Sequence, residues 1–192
     1  MSNNLPYPDM LAKAMSPISY MKWKMNVIDN ARVSYEQCSF EFEKIRHLMN
    51  LPENFESWFS ITILHVWMIH KRLLQEGDIG KELYNEIVSH IWLDVEIKLH
   101  QAGVRADINN IVKDLVFAFQ GQVLAYDEGF YYGDAIFAAA LWRNIYVSMD
   151  VDPQHLTNAL KIIRQQLQHV DSTEREVFLE GKFKFKEIDL LN

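Results

Sequence analysis

Apolar side chains recur along this chain at three- and four-residue intervals, in blocks separated by Gly, Pro, Asn and Asp. That periodicity predicts helices and little else. A first helix is expected over residues 18–37, with Tyr20, Trp23, Val27 and Tyr35 near one side, and a shorter one over 40–49, closed by Asn50-Leu51-Pro52. The stretch 55–75 is apolar almost all round, the mark of a central, buried helix. Gly77 ends it and Asp78 offers a cap for the next, 79–101, which Gly103 terminates. A helix over 108–125 should break at the Asp127-Glu128-Gly129 corner, and Asp134 can cap another over 135–148. Asp152-Pro153 pairs an N-cap residue with proline at the first helical position, starting a helix to about Val170. Asp171 and Ser172 begin a short last one.

Two ends differ from this pattern. Residues 1–16 contain Pro and Met and read as a peripheral arm. After Gly181, Lys182-Phe183-Lys184-Phe185-Lys186 alternates with the period of a strand but has no partner strand. It reads as an extended segment packed on the helices, or as an edge offered to another chain. The expected fold is all-α: a single-domain bundle of about seven helices over 17–180, with an extended tail over 181–192.

The length of 192 residues suits one domain, and 49% hydrophobic with 23% charged residues is ordinary globular composition. A net charge of −7 argues against general nucleic-acid binding, which needs concentrated Lys and Arg. The short clusters Lys22 with Lys24, and Lys182, Lys184 and Lys186, read as solvated segments. One cysteine, Cys38, excludes an internal disulfide and a Cys-based zinc site. The most apolar run, 61–69, holds His65 and is too short to span a bilayer. The start of the chain is neither a secretory signal nor a presequence in character, since Pro6, Pro8 and Asp9 interrupt it and the first arginine is Arg32.

Candidate chemistry is sparse. His65 and His70 lie about 140° apart around a helix and do not converge on one metal, so His65 reads as a neutral histidine bonded within an apolar helix. Glu86, His90 and Asp94 share a helix face that could hold a divalent cation, but the Glu-x-x-His pairs of di-iron bundles are missing. With Glu96 and His100 they read better as surface pairing. The adjacent carboxylates Asp127 and Glu128 are poorly spaced for acid–base work and suit a cap or a partner-contacting corner. Phosphate loops, nucleophile elbows and zinc helices are absent from the sequence. The reading is no enzyme, no cofactor and no metal.

Several blocks, in order, carry a resemblance. Leu51-Pro52-Glu53-Asn54-Phe55-Glu56-Ser57-Trp58-Phe59 leads into Leu64-His65-Val66-Trp67-Met68, Arg72-Leu73 and Glu76-Gly77-x-x-Gly80-Lys81. Trp92 with Asp94-Val95, then Tyr126-Asp127-Glu128-Gly129, then Ala138-Ala139-Ala140-Leu141-Trp142-Arg143 follow. Asp152-Pro153-x-His155-Leu156 and Arg164-Gln165-Gln166-x-Gln168-x-x-Asp171 complete the series. Over residues 35–185 the chain resembles the ubiquinol–cytochrome c chaperone family. It departs at Glu53-Asn54, where Asp-Thr is usual, and at Phe183-Lys184-Phe185, where a Trp is common.

The resemblance implies a non-enzymatic assembly factor for respiratory complex III. Such a protein binds newly made cytochrome b together with a small helical partner, on the matrix side of the mitochondrial inner membrane near the ribosome. It would be peripheral to that membrane, with no transmembrane span. The alternative is an accessory structural subunit stably bound to a mature respiratory complex. Candidate partner- or client-binding residues are Trp67, Trp92, Asp94, Tyr126, Asp127, Glu128, Gly129, Trp142 and Arg143. The three tryptophans read first as core and second as interface. Tyr126 to Gly129, with Trp142 and Arg143, are expected to form part of one binding surface.

Overall fold

A helix that is apolar on every side must be surrounded, and the rest of the molecule is arranged around one such helix. The computed structural model describes residues 16–39, 42–147 and 150–188; most of the N-terminal arm, 1–16, therefore lies outside the described residues. Eight α-helices are described: α1 (Pro17–Cys38), α2 (Phe42–Leu48), α3 (Phe55–Leu73), α4 (Gly77–Gln101), α5 (Ile108–Tyr132), α6 (Asp134–Asn144), α7 (Pro153–Asp171) and α8 (Arg175–Leu179). A single 3-10 turn, Leu74–Glu76, joins α3 to α4, and no strand occurs among the described residues. The fold is all-α, as the periodicity requires.

Helix α3 is the centre. It is buried without interruption over 59–69 and touches α1, α2, α4, α5 and α7. Its start is fixed locally, because the Asn54 side chain accepts a hydrogen bond from the Ser57 N–H at 2.9 Å. Within it, His65 Nδ1 donates to the Ile61 carbonyl at 2.8 Å, and the ring meets the edge of Phe185 at 4.6 Å between centroids. Burial pushes the His65 pKa down to about 4, opposed in part by the bond to Ile61, so the ring is neutral.

Several expected boundaries move: Gly77 opens α4 instead of ending α3, α6 stops at Asn144, and Asp171 and Ser172 close α7, so that α8 begins at Arg175. Helix α5 does not break at Asp127-Glu128-Gly129 but runs on to Tyr132, where Gly133 turns the chain at φ 110°. Gly129 is inside the helix because α6 crosses it closely: a Cβ there would lie 2.5 Å from Phe137 Cα. Neither Asp78 nor Asp134 caps a helix, since each falls in the first turn and makes no capping bond. Asp134 pairs with Arg164 of α7 instead. Asp152 does cap, its carboxylate accepting from the Gln154 N–H at 2.8 Å.

The tail packs on the helices as an extended segment. Phe183 and Phe185 are buried, and Lys182, Lys184 and Lys186, which alternate with them, are exposed. Gln166 on α7 grips it with two bonds, donating from Nε2 to the Lys186 carbonyl and accepting the Lys186 N–H, both at 2.7 Å.

Candidate functional site

The nine candidate residues fall into two regions. The first surrounds the middle of α3. Trp67 is fully buried and packs its ring edge-on against Tyr126 and Phe137, at 5.6 and 5.4 Å. Its indole Nε1 still needs an acceptor, and Asp127 provides one at 2.8 Å. Lys71, one turn further along α3, binds the same carboxylate oxygen at 3.1 Å and lies over the Phe130 ring at 5.2 Å. Tyr126 is fully buried, its phenol pushed well above the usual range by burial.

Tyr126 and Asp127 thus join Trp67 to the α5–α6 hairpin, within which Gly129 lies against Phe137; Trp67, Tyr126, Gly129 and Phe137 are buried. Glu128, Trp142 and Arg143 are exposed, Trp142 to 39%. The block 126–129 therefore alternates between groups that hold the hairpin and a group that solvent or another molecule can reach.

The second region lies on α4. Trp92 is half-buried between Phe59 and Phe119, at 6.4 and 5.7 Å. Asp94 accepts a hydrogen bond from the Tyr35 hydroxyl at 2.8 Å; burial, with this bond second, raises the phenol's pKa out of its ordinary range. Glu86 and Glu82 both pair with Lys24 at 2.8 Å, and His90 stacks on Tyr35. The shared face of Glu86, His90 and Asp94 is thus where α1 docks on α4. Among the described residues no hydrogen bond or ring contact links Trp92 or Asp94 to Asp127.

Two features were not visible in the sequence. A groove of about 450 Å³ opens between α3, the end of α5 and α7, with Met68 and Leu167 among its walls and Lys71 and Arg164 at its sides. Beside it, the Glu76 carboxylate is nearly inaccessible and bound by Arg72 at 2.5 Å and Arg175 at 2.6 Å, while Arg72 lies over the Phe178 ring. The only sequence signal was the block Arg72-Leu73 followed by Glu76-Gly77; Arg175, about a hundred residues away, carried none.

The arrangement is an all-helical scaffold in which polar side chains hold helices together beside accessible aromatic and charged ones. The chain belongs to the ubiquinol-cytochrome C chaperone family, whose model matches residues 47–185. It is 36% identical over 168 residues to ubiquinol-cytochrome c reductase complex assembly factor 1 of Homo sapiens, covering 85% of this chain and 55% of that protein. It is 32% identical over 144 residues to the mitochondrial protein CBP3 of Saccharomyces cerevisiae, covering 71% of this chain and 42% of that one. The chain thus spans about half the length of these relatives. The crystal structure of the Cbp3 homolog from Brucella abortus has a similar fold, with a TM-score of 0.71 at 19% identity over 88% of this chain and 92% of that one.

Proposed function

We propose that this protein is a non-enzymatic chaperone that binds newly synthesised cytochrome b, with a small helical partner, during assembly of respiratory complex III. The observation that carries this reading is the family match over 47–185, joined to relatives named as complex assembly factors. The packing supports a binding role over a catalytic one. The buried histidine of α3 bonds its own helix, and Glu86 and Asp94 are engaged by Lys24 and Tyr35. The place of action is the matrix side of the mitochondrial inner membrane; a mitochondrial relative supports the compartment, and no helix among the described residues is long and apolar enough to cross a membrane.

Within the site, Glu128, Trp142 and Arg143 are the contacting residues. Trp67, Tyr126, Asp127 and Gly129 position them by fixing the α5–α6 hairpin on α3. Asp94 contributes a second contact on α4, backed by Trp92.

The test is affinity purification from mildly solubilised mitochondria, quantifying cytochrome b, mature complex III subunits and ribosomal proteins. Newly labelled cytochrome b recovered with one small helical protein and little mature complex is the expected result. Equimolar recovery of the whole mature complex would make the chain an accessory subunit, and recovery of no cytochrome b would overturn the assignment.

A further inference from the structure

Of the seven glycines in this chain, six are required by its own fold. Gly77, Gly103, Gly133 and Gly181 have positive φ, and a Cβ at Gly80 or Gly129 would collide with Leu73 or Phe137. Gly121 has neither reason. It sits in the middle of the 25-residue helix α5, exposed, with no atom within 4 Å of where its Cβ would be. A mid-helix glycine weakens the helix relative to alanine, so nothing inside this molecule accounts for it.

Its neighbours on the same face are large and apolar. Phe117, Leu124 and Tyr131 recur every seven residues and are 61%, 62% and 81% exposed. They lie opposite the side of α5 that Phe119, Gln122 and Tyr126 bury against the bundle. Helix α5 is therefore apolar on two faces and has found a partner for one. A glycine between two large exposed side chains at helical spacing leaves a notch that lets another helix approach closely.

Charge selects the occupant. Asp114 and Glu128 lie seven residues to either side of Gly121 on this face, about 21 Å apart along the helix axis. Both are exposed and neither is ion-paired among the described residues. Lys113 stands beside Asp114, leaving the stripe at net −1 on a chain of net −7. A second copy would bring the same net charge to the contact, whereas a basic helix would relieve it. We infer that the Phe117–Gly121–Leu124–Tyr131 stripe docks an amphipathic helix of a different polypeptide, seated over Gly121 with Lys or Arg opposite Asp114 and Glu128. Glu128 belongs also to the surface proposed above, so this deepens that reading and rests on it for that residue alone.

The test uses the whole chain and a designed helical peptide of about 21 residues. One face carries Leu with Ala at the centre, flanked by Lys two heptads apart; a control peptide carries Glu at those two positions. Fluorescence anisotropy should show the Lys peptide binding at least tenfold more tightly than the control, and Gly121→Trp should lose at least tenfold with its melting temperature kept. Leu124→Gln gives the same comparison should Gly121→Trp fold poorly. Equal affinity for both peptides, or binding indifferent to both substitutions, overturns the inference. So does a dimer in sedimentation that Gly121→Trp dissolves, because the occupant is then a second copy. The assay makes no use of cytochrome b, so its failure is distinct from failure of the assembly reading.

Discussion

Trp67 Nε1 donates to Asp127 Oδ1 at 2.8 Å, tying the buried centre of α3 to the middle of the α5–α6 hairpin. The two residues are sixty apart in sequence, and each belongs to a separate family block. The bond gives Asp127 a structural duty that its neighbour Glu128 does not share.

Substitutions at the two carboxylates should therefore separate folding from binding. Asp127→Ala leaves a buried indole N–H unsatisfied and should lower stability by about 1–3 kcal/mol, read by chemical denaturation. Asp127→Asn keeps an acceptor for the indole and should cost less. Glu128→Lys, on the exposed face, should change stability by less than about 0.5 kcal/mol yet weaken partner recovery in affinity purification.

Gly80 and Gly121 should respond to alanine with opposite signs. A Cβ at Gly80 would lie 2.1 Å from the Leu73 carbonyl oxygen, so α4 must shift away from the end of α3. Gly80→Ala should cost about 1–3 kcal/mol or more. Gly121→Ala meets open space and should raise stability by up to about 1 kcal/mol, seen as a higher melting temperature.

Glu76 anchors two arginines from different parts of the chain, and its side chain and that of Arg72 are nearly inaccessible. Removing the carboxylate strands Arg72 in the interior. Glu76→Ala should cost about 3–5 kcal/mol in denaturant melts, while the exposed pair Arg32–Glu36 should be worth well under about 1 kcal/mol.

His65 makes stability depend on pH. Its folded pKa is about 4 against an ordinary 6.5, so the unfolded chain binds the proton first as pH falls. The stability contributed by the neutral ring is present above pH 6.5 and is lost as pH falls from there towards 4. At about 1.4 kcal/mol per unit the loss is roughly 3 kcal/mol. His70 is also pushed down by burial and adds in the same direction. His65→Leu should flatten the slope by up to one proton in denaturation profiles taken between those pH values.

The local marks were legible where a residue acts on its own neighbourhood. The stretch 55–75, apolar almost all round, announced a central helix, Asp152-Pro153 a helix start, and the alternation of Phe183 and Phe185 an extended segment packed on the helices. The corner at Asp127-Glu128-Gly129 misled because a glycine after a run of periodic apolar residues ordinarily marks a helix end. Here Trp67 and Phe137 supply the reasons for the aspartate and the glycine, and both lie outside α5. Ending that helix early also hid the stripe from Phe117 to Tyr131, since Tyr131 then stood on another element.

Sequence by itself determined the helical class, the central place of α3 and the family, because periodicity, caps and ordered motifs are properties of neighbouring positions along one chain. Which polar groups serve the fold and which remain for a partner was decided only by tertiary structure. Asp127 and Glu128 are adjacent and chemically alike, but helical geometry turns them about 100° apart. One therefore meets a buried indole and the other meets solvent.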